Sequence, residues 1–224
     1  MPVVLITGAG GNLGQTAVNY FLQNNWTVLA TVSPGKSWAG KPHPQLHTYA
    51  LDLRNTGMVS GWLSQLFSEW KHIHAGLLLA GGFAPAKLNE ASGDSLRTML
   101  ELNAATAWNV AQPLAMHGIQ QGAGRIIFIG ARAALHPEES GNALTYAFSK
   151  SLLFRFSEAI NLAGRQANVR SYVLVPHIID TPDNRKAMPS ADFGSWIKPE
   201  RIAEVMLRLA DSSCDEKETV LRLY

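Results

Sequence analysis

The chain is poor in cysteine and has no long hydrophobic run. Cys214 is the one cysteine among 224 residues, so it has no partner for an internal disulfide or a metal site. Such cysteine usage is typical of a reducing compartment, and we predict a cytoplasmic protein without a bound metal. The apolar stretch from Ile73 to Gly82 reaches about half of the ~20 residues that span a bilayer. The N-terminus becomes glycine-rich too early for a signal peptide, and no membrane association is expected.

Charge is also scarce and nearly balanced. Nineteen basic residues stand against 17 acidic ones, which gives a formal net charge of +2. The basic residues form no cluster, so we expect a small-molecule substrate and no nucleic acid as partner. With 46% apolar residues, the composition excludes disordered, collagen-like and disulfide-scaffold proteins. A chain of this length buries roughly 70% of its unfolded surface, enough for one substantial core.

Short apolar runs alternate with longer amphipathic stretches along the chain. Strands are predicted at the β-branched and leucine-rich runs, and helices where apolar residues recur every three or four positions. The predicted strands are Val3–Thr7, Thr27–Val32, Leu46–Leu51, Gly76–Leu79, Arg125–Ile129, Val169–Val175 and Thr219–Leu223. The predicted helices are Asn12–Asn24, Asn55–Trp70, Ser92–His117, Asn142–Gln166 and Pro199–Leu209.

This alternation predicts an α/β fold, a doubly wound parallel sheet of about seven strands in a single domain that spans residues 1–224. Helices then cover both faces of the sheet. The segment from Pro176 to Lys198 contains several prolines and no regular apolar period. It is too long for a simple connection, and we interpret residues 176–198 as a lid.

A glycine-rich turn joins the first predicted strand to the first predicted helix, where residues 7–14 read TGAGGNLG. Glycines let the backbone approach a pyrophosphate, whose charge is stabilised by the free N–H groups of the helix N-terminus. The position directly after a buried strand favours a dinucleotide site over an ordinary loop. The nucleotide contacts expected here are Gly8, Gly10, Asn12, Leu13 and Gly14.

Tyr146 and Lys150 are four residues apart and share one face of a predicted helix. An ammonium group beside a phenol favours the phenolate, which predicts that Lys150 lowers the pKa of Tyr146 below about 10. A tyrosine tuned in this way exchanges a proton with a carbonyl, imine or alcohol. The same pair occurs on ordinary solvated helix faces, so the catalytic interpretation depends on the glycine turn.

Together these motifs resemble the short-chain dehydrogenase/reductase family along nearly the whole chain, which implies a Rossmann-like, NAD(P)-binding domain. The resemblance implies catalytic roles for Tyr146 and Lys150, both also in contact with the nucleotide, and a structural and proton-relay role for Asn103. Further nucleotide contacts are implied after the third, fourth and sixth strands. They are Asp52, Leu53, Ala80, Gly81, Gly82, Pro176, Ile179 and Thr181.

A narrower resemblance is to the quinonoid dihydropteridine reductase branch of that family. It is carried by IGARAAL at 129–135, AGGFA at 80–84 and the lid sequence DTPDNRKAMPSADF at 180–193. It implies substrate contacts at Phe83, Ala131, Arg132 and His177. Phe83 either stacks on a flat ring or belongs to the core. His177 is either a hydrogen-bond partner of the substrate or a tolerated loop residue.

The sequence departs from the wider family after the fifth strand, where most members have a catalytic serine. Residues 130–133 read GARA and contain no hydroxyl. The absence of this hydroxyl argues against reduction of an ordinary ketone, whose carbonyl needs polarising. It fits a conjugated acceptor, because hydride adds to such a molecule once the acceptor is positioned and one proton donor is present. Inactivity is the alternative, and the intact Tyr146–Lys150 pair argues against it.

Cofactor preference depends on the end of the second strand, where an acidic residue would repel a 2′-phosphate. Here Ser33-Pro34-Gly35-Lys36 follows the strand, with no carboxylate. Ser33 and Lys36 are suited to a phosphate, although the glycine turn contains no arginine. We predict NADP as the cofactor, with NAD as the alternative.

The sequence therefore predicts an oxidoreductase that transfers hydride from NAD(P)H to a quinonoid dihydropterin-like or other activated acceptor, with Tyr146 as the proton donor. The alternatives are a serine-less carbonyl or alcohol oxidoreductase and a non-catalytic NAD(P) sensor. In relatives the two long helices pair across a two-fold axis, which implies a homodimer or homotetramer. The same apolar residues are equally suited to pack on the chain's own sheet.

Overall fold

One parallel sheet organises the protein, and the computed structural model describes all of residues 1–224. Its seven strands lie in the order β3-β2-β1-β4-β5-β6-β7. They are β1 (Val3–Thr7), β2 (Thr27–Val32), β3 (Leu46–Ala50), β4 (Ala75–Leu78), β5 (Gly124–Ile129), β6 (Val169–Pro176) and β7 (Val220–Leu223). The winding reverses between β1 and β4, and ligands of such sheets bind beside that point, at the carboxyl ends of the strands.

Helices cover both faces of the sheet, as the alternating pattern predicts. They are α1 (Asn12–Gln23), α2 (Thr56–Glu69), α3 (Gly93–Met99), α4 (Thr106–Gln121), α5 (Leu144–Ala163), α6 (Pro182–Ala187) and α7 (Pro199–Ala210). One core cluster of 23 buried residues lies under α1 and α7, and a second of equal size under α2, α4 and α5. The predicted α/β fold is confirmed. No helix is long and apolar enough to cross a membrane.

The predicted helix Ser92–His117 is interrupted and ends later than expected. A π-helical turn at Leu100–Ala105 separates α3 from α4, and α4 continues to Gln121. Because the apolar period runs on through the turn, the sequence pattern did not indicate it. The turn contains Asn103, which is 1% exposed, and such turns are frequent at functional sites.

The predicted lid is more regular than its sequence suggested. Its centre folds into α6, which Thr181 caps by accepting the backbone N–H of Asn184 at 3.2 Å, with Pro182 in the first helical position. Arg185 donates to both carboxylate oxygens of Asp180, at 2.6 and 2.8 Å. A Thr-Pro start is a recognised helix signal, so the short helix was accessible to sequence reasoning.

Candidate active site

The glycine turn between β1 and α1 is fixed by close backbone contacts. Gly8 has φ of +68°, and a Cβ there would lie 2.8 Å from the Cα of Ala80. A Cβ on Gly14 would lie 2.2 Å from the carbonyl oxygen of Gly8. A Cβ on Gly10, in contrast, would meet nothing closer than 3.9 Å. Gly8 and Gly14 therefore shape the turn, while Gly10 leaves its outer side open to a ligand.

Thr7, the last residue of β1, ties this turn to the one that follows β4. Its Oγ1 accepts the backbone N–H groups of Leu79 and Ala80 at 3.0 and 3.1 Å. The register agrees, since Thr7 pairs with Leu78 at the carboxyl ends of the two strands. The two predicted nucleotide-contacting turns thus lie side by side at the reversal of the sheet. Sequence reasoning had assigned Thr7 no function.

A cavity of about 480 Å³ opens beside these turns, within the size range of small-molecule sites. Among the predicted nucleotide contacts, its lining includes Gly8, Gly10, Ser33, Asp52, Leu53, Ala80 and Gly81. Lys36 and Arg54 also line it and give it positive charge. A cavity with open backbone and two cations fits the adenosine end of a dinucleotide and its phosphates.

Arg54 is a cavity residue that sequence reasoning missed. Its Nε and Nη2 donate to the two carboxylate oxygens of Asp52 at 2.9 and 2.8 Å. These hydrogen bonds hold the pKa of Asp52 below its usual value, so this carboxylate is ionised and its charge is largely compensated. No local pattern distinguishes Arg54 from an ordinary surface arginine.

The remaining predicted nucleotide contacts lie in or near the lid. Asn12 donates from Nδ2 to Oδ2 of Asp183 at 2.7 Å, which joins the glycine turn to α6. Ile179 forms a β-bridge with Ile197, and Thr181 is 7% exposed. Pro176 ends β6 and Leu13 packs on the core under α1. The predicted lid segment thus contacts the glycine turn through α6.

Lys150 is buried at the N-terminal half of α5, with its Nζ donating to the carbonyl oxygen of Ile129 at 2.9 Å. That Nζ lies 5.9 Å from the centroid of the Tyr146 ring. Burial lowers the pKa of Lys150 to about 8 and raises the pKa of Tyr146 to about 12. The expectation that Lys150 lowers the pKa of Tyr146 is therefore wrong for this structure, because desolvation dominates. Tyr146 is protonated at neutral pH, the form in which a phenol donates a proton.

Asn103 joins the turn after β4 to α5. Its Oδ1 accepts the backbone N–H of Gly82 at 3.1 Å, and its Nδ2 donates to the Gly82 carbonyl and to Ser149 Oγ, both at 3.0 Å. A Cβ on Gly81 would lie 2.5 Å from Asn103 Oδ1 and 3.5 Å from Lys150 Nζ. The Asn103 side chain is fully engaged in this packing, which supports the predicted structural role.

The predicted substrate residues lie around the same carboxyl edge. The ring of Phe83 meets that of Tyr146 edge to face, with centroids 5.1 Å apart, and Phe83 is 65% exposed. Ala131 is buried, and the backbone N–H of His177 donates to the Leu223 carbonyl at 3.4 Å. Phe83 is thus an exposed wall beside Tyr146, and the alternative that it belongs to the core is wrong.

The Arg132 side chain contacts two residues that sequence reasoning missed. Its Nη2 donates to Oε1 of Glu139, and its Cζ lies 4.5 Å from the centroid of the Tyr224 ring. The Tyr224 hydroxyl is hydrogen-bonded to Nε2 of His136 at 3.0 Å. Tyr224 is more than 80 positions away along the chain, so no local pattern relates it to this loop.

The fold and this edge define a dinucleotide-binding α/β domain, and comparison with known proteins identifies its family. The model of the family described as short chain dehydrogenase matches residues 2–191. The chain therefore belongs to the short-chain dehydrogenase family of oxidoreductases, as the sequence motifs predict.

Individual relatives are distant but match along most of their length. A dihydropteridine reductase of Dictyostelium discoideum is 23% identical over 216 residues, covering 94% of this chain and 88% of that protein. The NADP-dependent 3-hydroxy acid dehydrogenase YdfG of Salmonella typhi is 25% identical over 229 residues, covering 91% and 87%. The structure of ElxO with NADP bound matches with a TM-score of 0.88 at 17% identity, covering 99% and 96%.

Proposed function

We propose that the protein is an NADP(H)-dependent reductase that transfers hydride to a quinonoid dihydropterin-like or similarly conjugated acceptor. The proposal depends above all on the surroundings of Tyr146. Its protonated phenol lies against the exposed Phe83 ring, which offers a flat acceptor a stacking surface. Residues 130–133 provide no hydroxyl to polarise an isolated ketone. A conjugated acceptor has no need of that polarisation.

In the proposed reaction the bound nicotinamide supplies a hydride, and the protein supplies the proton. Tyr146 is the proposed donor because its phenol is protonated at neutral pH and its ring lies beside the exposed Phe83 ring. Lys150, fixed by the Ile129 carbonyl, would hold the ribose of the nucleotide beside Tyr146. Asn103 keeps the Gly81–Gly82 turn against the nucleotide. Positioning and one general acid account for the catalysis.

The proposed cofactor is NADP, with NAD as the alternative. Ser33, Lys36 and Arg54 line the cavity, and no carboxylate other than Asp52 faces its ribose end to repel a 2′-phosphate. Asp52 itself is paired with Arg54. The NADP-dependent hydroxy acid dehydrogenase and the NADP-bound ElxO structure are in keeping with this choice.

The test is steady-state oxidation of NADPH and NADH with quinonoid dihydropterin, for wild type and Tyr146→Phe. We expect turnover with NADPH and a loss of about 100-fold in kcat in the variant, the usual scale for a missing general acid. Nucleotide affinity, measured by fluorescence titration, should fall far less than kcat, because phenylalanine keeps the ring and loses only the hydroxyl. Nucleotide binding without turnover on any acceptor would instead identify a sensor.

A second candidate is a serine-less dehydrogenase of hydroxy acids, favoured by the likeness to the 3-hydroxy acid dehydrogenase. It predicts NADP reduction by simple 3-hydroxy acids and no turnover of dihydropterin. The same Tyr146→Phe variant is then inactive, because the phenol acts as acid or base in either direction. The choice of acceptor separates the two candidates directly.

We also propose that the protein forms a homodimer through α4 and α5. Trp108, Phe148 and Leu152 are each about half exposed on these helices. Beside them an apolar groove of about 490 Å³ is lined by Trp108, Leu152 and Phe156. Light scattering should give the mass of two chains for wild type, and of one chain for Trp108→Glu. A monomeric wild type would contradict this proposal.

A further inference from the structure

We infer that Arg132 is the anion-binding residue of the acceptor site, and that the acceptor carries a carboxylate that replaces Glu139 on the guanidinium group. The inference rests on the proposed function, because it assumes that the acceptor lies beside Tyr146. It narrows the substrate class to conjugated acceptors that bear a carboxylate, which an unsubstituted quinonoid dihydropterin lacks, and it assigns Tyr224 as the residue that positions Arg132.

Arg132 is held on the acceptor side by its place in the chain. It follows Ile129, the last residue of β5, by three positions, and the Ile129 carbonyl oxygen accepts the hydrogen bond that Lys150 Nζ donates. Three residues extend at most about 11 Å. The backbone of Arg132 is therefore held at the same carboxyl edge of the sheet as the proposed proton donor.

The guanidinium group has hydrogen-bonding capacity to spare. Glu139 engages Nη2, whereas Nε is shielded from solvent and has no hydrogen-bond partner. A carboxylate commonly binds arginine through two parallel N–H···O bonds. Glu139 accepts only from Nη2, so the second of these two bonds is not formed. An unpartnered, shielded N–H is costly. An acceptor carboxylate that reaches both Nε and an Nη group would satisfy it.

Exchange of one carboxylate for another is favoured by the exposure of the pair. The side chains of Arg132 and Glu139 are 28% and 35% exposed, and partly exposed ion pairs are weak. Glu139 lies in a short loop where a neighbouring acid, Glu138, approaches His136 at 3.5 Å. Glu139 can therefore turn to solvent at little cost, while the ligand keeps the charge of Arg132 compensated.

Tyr224 fixes the plane of the guanidinium group. Its ring lies under Arg132 Cζ, and its hydroxyl is anchored to His136. The preceding residue, Leu223, accepts the backbone N–H of His177 at the start of the lid. Tyr224 thus connects the loop after β5, the end of β7 and the lid. It is a positioning residue, since it acts through Arg132.

The test measures binding of benzoate and of benzamide to the protein saturated with NADP, by calorimetry. Both probes have a ring to place against Phe83, and they differ mainly in charge. We expect wild type to bind benzoate about tenfold more tightly than benzamide, the scale of one charge-assisted hydrogen-bonded pair. Arg132→Gln should reduce that ratio to near one. Glu139→Gln should increase it, because the internal competitor is removed.

The matched control is Arg201→Gln, which removes a similar arginine from an exposed pair with Glu204 on α7 and should leave the ratio unchanged. Tyr224→Leu should lower the ratio without changing the affinity for NADP, and Tyr224→Phe should lower it less. Thermal unfolding of each variant separates loss of the fold from loss of binding.

Equal binding of benzoate and benzamide in wild type would overturn the inference, as would a preference that survives Arg132→Gln. Either result leaves the dihydropterin turnover test standing. Conversely, an Arg132-dependent preference for benzoate in a protein that turns over no acceptor would contradict the proposed function and retain the anion site. The two hypotheses therefore fail in different experiments.

Discussion

The nucleotide side and the acceptor side of the carboxyl edge are built in different ways. Around β1 and β4 the site is made by backbone contacts, in which Gly8 and Gly14 leave no room for a Cβ and Thr7 binds two backbone N–H groups. On the acceptor side it is made by side chains, in which Phe83 meets Tyr146 and Arg132 meets Tyr224. Where backbone contacts form the site, only glycine fits at a few positions. Where side chains form the site, most positions accept other residue types.

The largest effect is expected on the nucleotide side, from Gly14→Ala. Its Cβ would overlap the Gly8 carbonyl, backbone that cannot move without opening the turn, and we expect a loss of about 3 kcal/mol or more in the free energy of unfolding. Urea denaturation measures it. The matched control is Gly61→Ala in α2, where a Cβ meets nothing within 4 Å and a gain of about 0.5–1 kcal/mol is expected. Equal effects of the two substitutions would contradict the backbone-built description.

Between the two sides, the buried Lys150 should make the free energy of unfolding depend on pH. Because its pKa falls from 10.5 to about 8 on folding, the unfolded chain binds more protons between these values, and stability rises with pH. Between pH 8 and 9.5 the rise should be about 1.6 kcal/mol in wild type, less than the full ~1.36 kcal/mol per pH unit because Lys150 is half protonated in the folded chain at its pKa of about 8. It should be absent in Lys150→Met. Tyr146 acts in the opposite sense only above pH 10, where the unfolded chain loses its phenolic proton first. If the free energy of unfolding changed with pH in the same way in wild type and in Lys150→Met, the buried Lys150 ammonium could not be the cause of that change.

A moderate effect on nucleotide affinity is expected from replacing Lys36, a basic residue of the cavity on the nucleotide side. Lys36→Gln removes one charge from the proposed phosphate end of the cavity, and we expect the affinity for NADPH to fall about tenfold at low salt while that for NADH changes little. Fluorescence titration with both nucleotides measures it. Arg170→Gln, an exposed basic residue of β6, is the control for net charge. A parallel loss for NADPH and NADH would place Lys36 away from the 2′-phosphate.

The smallest effect is expected where the two sides meet, at the bond between Asn12 and Asp183. Asp183→Asn removes a negative charge beside the glycine turn and keeps a side-chain oxygen as acceptor. We expect nucleotide affinity to rise two- to threefold, in line with roughly 0.5 kcal/mol for an exposed charge interaction. High salt should abolish the difference. An increase that persists at high salt would point to movement of the lid and not to charge.

The same contrast explains how far the sequence could predict this molecule. All seven strands, the glycine turn and the Tyr146–Lys150 pair were predictable, because continuous apolar runs and glycines express local backbone requirements. The π-helical turn was not, since it depends on packing between elements. The place of Arg54 in the cavity was not either, since segments after four different strands form that cavity. The pKa of Tyr146 was predicted in the wrong direction because a spacing of four residues shows proximity to Lys150 but not the desolvation of both groups.

The contact between Arg132 and Tyr224 marks the limit of such reasoning. The resemblance placed Arg132 in the substrate site, yet its partners come from the loop after β5 and from beyond β7. Only the three-dimensional arrangement of strands brings these segments together. Substrate preference is therefore the property least accessible from sequence in this protein.

The π-helical turn at Leu100–Ala105 has a consequence for chain length. Such a turn holds one residue more than an α-helical turn, so deleting a single residue here would give an uninterrupted helix with more regular hydrogen bonds. Since the turn already takes up the surplus residue, the two helix halves would keep nearly the same rotation about their axis, and the change would fall on the side chains of the turn itself. Asn103 would then leave Gly82 while both helix halves remained well formed. Removal of this one residue would thus make the hydrogen bonding of the helix more regular and would break the contacts between Asn103 and Gly82.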